Sequence, residues 1–504
     1  MISQHYPILI VVLPLLASPL ALLLRRGDPA WLLSVAVSWL LPFIALALAA
    51  ATIDGQVLSY HLGGWPPPIG IEYRIDSLSA FVLFLVSGVS ALVVTYARTS
   101  VAAEIPSSRR AGFYAAYLVG LSGLLGMAAT GDAFNIFVFM EISSLASYVL
   151  IALGRDRRAL SASYRYLIMG TIGATFYVLG IGLIYAMTGT LNLADLAQRL
   201  PEVENSRPVL AAFGFIVVGL SLKLALFPLH VWLPNAYAYA PSVGSAFLAA
   251  TSTKVAIYLL LRFFFGVFGA DFSYKAVPLE PILLALSIAA IIVASLVALF
   301  QQNVKRMLAY SSIAQIGFVT LGIAIANADG LTGAVVHLFN HAVIKGALFL
   351  LLGGVALRLH SVRLDDMAGI GLKMPVTMTA FAICGLAMVG APGTVGFVSK
   401  WFLAVGAAEQ GRWWLVAILM LGSLFTLAYM ARVLEIAFLR PVAPKLAKVT
   451  EAPLAMLVPT LVLAAATVWF GIDTELSAGI ARQAAEVLLS GPMVPVPLET
   501  AGGQ

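Results

Sequence analysis

Charge is scarce in this sequence. Only 10% of its 504 residues are Asp, Glu, Lys or Arg, while 61% are hydrophobic and the mean hydropathy is +0.99. An ordinary soluble domain carries about 25% charged residues. So little polarity cannot cover a water-facing surface, and the long apolar runs have lipid as their solvent. The single cysteine, Cys384, excludes an intramolecular disulfide, and no cysteine–histidine spacing of a zinc or iron–sulfur centre is present. No glycine-rich phosphate loop or dinucleotide fingerprint is present either, so no cofactor is expected. The net charge of +6 comes from basic residues in short loops between apolar runs. That placement is an orientation signal and not a nucleic-acid patch.

What is present is a series of membrane spans. A helix needs about 20 apolar residues to cross the hydrocarbon core. On that rule fourteen spans are predicted, at 7–24, 31–51, 77–97, 112–130, 133–153, 164–188, 209–237, 243–268, 281–301, 307–327, 331–357, 375–405, 412–439 and 453–471. The fold class is an all-α polytopic membrane protein with no inserted soluble domain. The first run has Arg25 and Arg26 after it and no Lys or Arg before it, the reverse of a signal peptide, so a retained first span is expected.

Loop charges test the span count. One side holds sixteen basic residues: Arg25, Arg26, Arg98, Arg109, Arg110, Arg155, Arg157, Arg158, Lys305, Arg306, Arg358, Arg363, Lys373, Arg440, Lys445 and Lys448. The other holds seven: Arg74, Arg199, Arg207, Arg262, Lys275, Arg412 and Arg482. Most acids, including Asp54, Asp76, Asp195, Glu202 and Glu204, fall on that second side. A wrong count would scramble this alternation. The positive-inside rule therefore places the chain in a cytoplasmic (inner) membrane with an even number of spans and both termini outside.

Two spans are predicted to be broken. The seventh contains Lys223-Leu-Ala-Leu-Phe-Pro228-Leu-His230-Val-Trp232-Leu-Pro234, and the twelfth contains Gly390-Ala-Pro392-Gly393-Thr-Val-Gly396. An interior proline frees a carbonyl and kinks the helix, which lipid tolerates only where neighbours or cavity water satisfy the freed groups. Breaks at matching places in two halves point to inverted repeats, here spans four to eight against nine to thirteen. A weak internal match, Gly173-Ala-Thr-Phe-Tyr-Val-Leu-Gly180 against Gly346-Ala-Leu-Phe-Leu-Leu-Leu-Gly353, fits that pairing. The expected organisation is an N-terminal three-span segment at 1–111, a first repeat at 112–268, a second at 281–439, and a last span with its tail at 440–504.

Charges inside the spans carry the chemistry. Arg165 and Arg432 lie near enough to helix ends to snorkel, but Lys223, Lys254, Lys345 and Lys400 lie well within their spans. A charge at the bilayer centre costs at least about 2.5–3.5 kcal/mol on insertion scales and usually marks function. Glu141 is the buried acid, opposite a broken span with its own lysine, and a coupled Glu141–Lys223 pair is expected. The competing reading is a protonated carboxyl held by the hydroxyls of Ser143 and Ser144. Burial pushes a lysine toward neutrality, where it exchanges protons. His337, His341 and Lys345 recur at i, i+4 and i+8, on one helix face and roughly 6 Å apart in rise. Histidine titrates near neutral pH, so this row is a candidate relay, with Lys254 bridging two half-channels. A metal site at His337 and His341 is the weaker reading, because no further ligand cluster is visible. Only Glu141 and Glu435 are acids within the spans. A dehydrated hard cation wants several oxygen ligands, so the chain alone is a poor sodium site and a good proton path.

At these residues the sequence resembles the antiporter-like subunits shared by respiratory complex I, membrane-bound hydrogenases and Mrp-type multisubunit Na+/H+ antiporters. The resemblance covers nearly the whole chain. It is most specific at Phe227-Pro-Leu-His-Val-Trp-Leu-Pro-Asn-Ala-Tyr237, at Ala240-Pro-Ser-Val-Gly-Ser-Ala246 running to Lys254, at Lys305-Arg-Met-Leu-Ala-Tyr-Ser-Ser-Ile313, and at His337-Leu-Phe-Asn-His341 with Lys345. It implies proton-transfer roles for Glu141, Lys223, Lys254, His337 or His341, and Lys400. Gly189-Thr-Leu-Asn-Leu-Ala-Asp195 and the lysine at 400 are similar to the D-type subunit of the Mrp antiporters. The sequence ends about 33 residues after the last predicted span, so neither the long lateral helix of the largest complex I relative nor the extra C-terminal spans of the A-type Mrp subunit are expected. The resemblance implies a proton-translocating subunit of a monovalent cation/H+ antiporter, a secondary transporter rather than an enzyme. It would work with other membrane subunits, including a larger homologous one, with protons and Na+ as the ions. The alternative is a redox-driven pumping subunit of a complex I or hydrogenase assembly. A third reading, a scaffold with incidental charges, predicts intact transport after loss of Glu141 or Lys223.

Overall fold

The computed structural model describes residues 2–53 and 55–496. Asp54, counted above among the acids of the less basic side, lies outside the described residues. Among those residues thirteen helices are long and apolar enough to cross a membrane, and a fourteenth crossing is reached if the bent segment Leu364–Leu372 with Pro375–Val389 is one span. The chain is a polytopic membrane protein. Its helices run Tyr6–Leu23, Gly27–Ala50, Ser77–Glu104, Arg110–Ala129, Ala133–Ala152 and Arg158–Thr188 through the first six crossings. The seventh and eighth are discontinuous, and Leu279–Leu299, Val304–Ile325 and Ala328–Leu359 follow. A second discontinuous region precedes Trp413–Leu439 and Leu454–Ile472.

Burial sorts these helices into an axis and a shell. Spans eight and ten are almost wholly enclosed and spans three, four and eleven mostly so, while spans one, two, six, nine, thirteen and fourteen leave most of their surface outward. Those outward surfaces are apolar, as at Leu32, Phe43, Leu160, Tyr164, Val293 and Leu424, which is what contact with acyl chains requires. Lipid gives helices no hydrophobic reason to associate, so close packing rests on small residues. Gly219 of span seven is such a point, because a Cβ there would lie 2.6 Å from the Gly173 carbonyl oxygen of span six.

Both expected breaks are present. Helix Arg207–Leu224 stops at Ala225, which has φ 61°, and the chain resumes as Leu233–Tyr239. Pro375–Val389 stops at Gly390, with φ 94°, and resumes as Val395–Glu409. Each of these last two helices has 15 residues. At about 1.5 Å per residue neither helix alone is long enough to cross the core, and the chain breaks between them within the predicted twelfth span. Five spans per repeat is an odd number, so the second repeat necessarily starts from the opposite side of the membrane. A third break was not foreseen. Span eight runs Ser242–Ala250 and Ser252–Leu261 around Thr251, whose hydroxyl donates to the Phe247 carbonyl at 2.6 Å. A run of Thr251-Ser252-Thr253 within an apolar span was the available signal, since these side chains compete for backbone groups.

The face opposite the basic loops is closed by a short hairpin, Leu58–His61 paired antiparallel with Glu72–Ile75, with Ser59 opposite Arg74. Asp76 then caps the third span: its carboxylate accepts from the Ser79 amide at 2.9 Å, and Arg262 pairs with the same oxygen. Arg262, assigned above to a loop, is thus 4% exposed and inside span eight. Lys305 is similarly displaced from the loop expected, lying buried in the first turn of Val304–Ile325.

Candidate functional site: a file of buried lysines and histidines

The first station lies where spans five, six and seven meet. Lys223 occupies the last turn of its half-helix, and its ammonium stands 3.9 Å from Glu141 Oε1 and donates to the Ser144 hydroxyl. The pair predicted from the sequence is formed. The alternative bonding of Glu141 is not: Ser143 and Ser144 donate instead to the Met140 carbonyl, at 3.0 and 2.6 Å. Serines one turn along a helix fold back onto the nearest carbonyl of their own chain. Glu141 Oε1 therefore has no hydrogen-bond partner among the described residues. Gly170 makes room for Tyr148 beside the amine, since a Cβ there would collide with the Tyr148 hydroxyl, while its 3.6 Å to Lys223 Nζ is ordinary contact.

The second station is Lys254, fully buried just past the break in span eight. Its ammonium donates to the Ala249 carbonyl, a group the break at Thr251 leaves available, and the Thr253 hydroxyl lies at 3.4 Å. The third station is the row on span eleven. The rings of His337 and His341 stack with centroids 6.4 Å apart. His337 bonds at both nitrogens, Nδ1 with the Ser399 hydroxyl at 2.9 Å and Nε2 with Gln315 Oε1 at 3.0 Å. His341 is 2% exposed, and neither ring nitrogen has a partner among the described residues. Lys345 shares their helix face but turns to span ten, donating to the Leu308 carbonyl at 2.9 Å and to the Ser311 hydroxyl.

Lys400 ends the file on the second half of the twelfth span. It donates to the Met388 and Val389 carbonyls at 3.1 and 2.7 Å and to the Ser423 hydroxyl at 2.9 Å. Its ammonium also stands 4.8 Å from the centre of the Phe318 ring. Cation–π contact of this kind is worth about 2 kcal/mol when desolvated. The two carbonyls are those the break at Gly390 strips of helical partners, so the break itself solvates the charge. Ser399, one residue before, holds His337. One half-helix thus touches both the histidine row and the terminal lysine.

The seven residues singled out from the sequence are all placed at membrane depth, in three groups: Glu141 with Lys223, Lys254 beside its own break, and His337, His341 and Lys345 leading to Lys400. Among the described residues no direct hydrogen bond joins one group to the next. Arg165, by contrast, is exposed on span six, and Arg432 donates to the Leu299 carbonyl at 2.6 Å. Sequence reasoning missed Ser311, Gln315, Ser399 and Ser423, the neutral partners. Single polar residues in apolar spans are common, and only the packing of one span on another assigns their partners. Among the described residues no group of three or more His, Cys, Asp or Glu side chains is arranged to hold a metal.

Fold and site together define a polytopic membrane protein with two broken-helix repeats sharing one interior row of ionisable groups. The chain belongs to the family described as NADH:quinone oxidoreductase/Mrp antiporter, transmembrane region, which matches residues 130–426. The N subunit of the NADH-quinone oxidoreductase of Desulforudis audaxviator is 44% identical over 94% of this chain and 97% of its own length. The D subunit of the Na(+)/H(+) antiporter of Bacillus subtilis is 28% identical over 97% of this chain and 98% of its own. Among solved structures, a chain of the archaeal membrane-bound sulfane sulfur reductase superposes with a TM-score of 0.88 at 30% identity, covering 96% of this chain and 97% of that one. A chain of the Mrp complex from Dietzia sp. superposes equally well, at 0.88 and 25% identity, covering 97% and 98%.

Proposed function

We propose that this chain is a proton-translocating subunit of a multisubunit membrane assembly. Protons enter and leave along the file Glu141–Lys223, Lys254, His341–His337, Lys345 and Lys400. The observation that carries this reading is the solvation of the amines. Lys223, Lys254, Lys345 and Lys400 are met by serine or threonine hydroxyls, and the last three by backbone carbonyls as well, with one carboxylate among them at 3.9 Å. Neutral acceptors stabilise an ammonium without fixing it, so each amine is able to release its proton. A permanent ion pair would not allow that. Transfer between groups runs through water, and an advancing charge at one station repels protons at the next.

Glu141 also supports assembly with neighbours. It lies on the same face of span five as Phe134, Val138, Leu145 and Val149, all outward-facing, and its side chain is 28% exposed. A carboxylate left toward hydrocarbon is costly, so this face is read as the seat of an adjoining membrane subunit. In this reading the basic loops face the cytoplasm and both termini the outside.

The driving assembly has two readings, each with its own observation. The full-length match to the D subunit of a Na(+)/H(+) antiporter and the superposition on an Mrp complex support cation/proton exchange. The 44% identity to a component of a quinone oxidoreductase supports redox-driven pumping. In both, this chain moves the proton. With few acids in the spans, any Na+ site draws on other subunits. The test uses inverted vesicles containing the whole assembly and a pH-sensitive dye. A proton gradient dissipated by added Na+ supports exchange, and one built by an electron donor supports pumping. A Lys223→Ala assembly that performs either at the wild-type rate overturns the shared proposal.

A further inference from the structure

A cavity of about 530 Å³ opens on the face that carries the basic loops, where the two repeats join. It is lined by Arg158, Tyr239, Phe300, Arg306, His360 and Arg363, and no acid is among its lining residues. These residues come from the ends of separate spans. Arg158 begins the sixth, Tyr239 closes the seventh, Phe300 follows the ninth, Arg306 lies in the first turn of the tenth, and His360 caps the eleventh. They therefore share one level at the membrane surface.

The charge there is only partly met. Arg158 pairs with Asp156 at 2.5 Å and donates to the Tyr239 hydroxyl at 3.3 Å, while Arg363 stands 3.6 Å from Asp365. Arg306 has neither kind of support. Its Nε is buried and donates to no acceptor among the described residues, and its guanidinium lies only loosely over the Tyr310 ring, at 5.9 Å. A buried guanidinium N–H without an acceptor costs free energy that an incoming anion would recover.

We propose that this cavity binds the phosphate headgroup of an anionic phospholipid, with Arg306 as its principal contact and Arg158 and Arg363 at the rim. The phosphate chemistry follows from three planar, permanently charged donors around a space without carboxylates. The lipid source follows from the walls. Arg158 and Phe300 stand at the ends of the sixth and ninth spans, whose outward sides near those ends present Leu160, Tyr164 and Ile168, and Val293 and Leu296. Phe300 itself is 74% exposed. A headgroup reaching Arg306 from the bilayer leaves its acyl chains against those apolar sides. Basic pockets between transmembrane helices at the basic-loop face are a recurring form of lipid recognition.

The test is native mass spectrometry of the purified, delipidated assembly. It is titrated separately with phosphatidylglycerol, with zwitterionic phosphatidylcholine and with inorganic phosphate. Phosphatidylglycerol is expected to bind wild type in preference to phosphatidylcholine. Arg306→Gln is expected to weaken it about tenfold, the loss of one charge-assisted contact. Lys448→Gln, at an exposed loop on the same face, is expected to change nothing. Arg363→Gln, on a surface loop, is expected to weaken binding about threefold through loss of a rim charge, and it decides the matter should Arg306→Gln fail to assemble. Equal binding of the two lipids, or unchanged phosphatidylglycerol binding in both arginine variants, overturns the proposal. Displacement of the lipid by millimolar phosphate makes this a soluble-anion site and overturns the lipid assignment.

Discussion

At the scale of single residues, each station tests whether the charge is needed or its exchange. Lys223→Ala removes both and is expected to lower coupled proton movement about 100-fold, the size of a lost proton-transfer group. Lys223→Arg keeps the charge but cannot release a proton. It is expected to be almost as inactive while assembling normally, as read by gradient formation in vesicles alongside the yield of purified complex. Full activity in the arginine variant would make Lys223 a fixed counter-ion. Gly170→Ala tests the packing of Tyr148 beside that amine. Its new Cβ meets the Tyr148 hydroxyl and stands 3.6 Å from Lys223 Nζ. A cost of about 1–3 kcal/mol from overpacking should appear as a lowered thermal midpoint together with slowed transport.

At the scale of elements, breaks and caps do the positioning. Gly390 holds φ 94°, and a Cβ there would lie 2.9 Å from Lys400 Cδ. Gly390→Ala is expected to cost about 1–3 kcal/mol in backbone strain and to impair transport more than stability, because Lys400 takes its carbonyl partners from this break. Asp76 joins two elements, capping the third span and pairing with Arg262 of the eighth. Burial raises its carboxyl pKa, but the charge and hydrogen bond of Arg262 more than offset this and hold it below the usual carboxylate value. Its stabilising contribution is therefore present above the unfolded carboxylate pKa and is lost as pH falls through the lower folded value. Asp76→Ala leaves Arg262 buried without its carboxylate and is expected to cost about 3–5 kcal/mol. The loss should be largest near neutral pH and shrink toward acid, as followed by thermal unfolding at several pH values.

At the scale of the whole molecule, the file runs between two outward faces, Glu141 on span five and the twelfth and thirteenth spans around Lys400. Adjoining subunits on both faces would extend it into a longer row, and Glu141→Gln is expected to reduce coupling in the assembly about 100-fold without releasing this chain from it. Vesicle assays set beside the polypeptide composition of the purified complex separate those outcomes.

The span count, the buried lysines and the two proline- and glycine-marked breaks were legible in the amino-acid order. Hydropathy, charge scarcity and backbone chemistry act locally, and a charge in an apolar run stands out wherever the helices pack. Local pattern could not reveal which groups meet across helices. Ser144 bonds Lys223 and not Glu141, Ser399 reaches His337, and Arg262 leaves its expected loop for Asp76, because these partners are 62 to 186 positions apart. The break at Thr251 also stayed hidden, since it has no proline or glycine and rests on hydroxyl bonding to the backbone. The sequence by itself determined what must cross lipid and which charges lie at membrane depth, since transfer into hydrocarbon is decided residue by residue. Only the tertiary structure decided which neutral oxygens solvate each ammonium, since hydrogen bonds depend on where separate helices place their atoms.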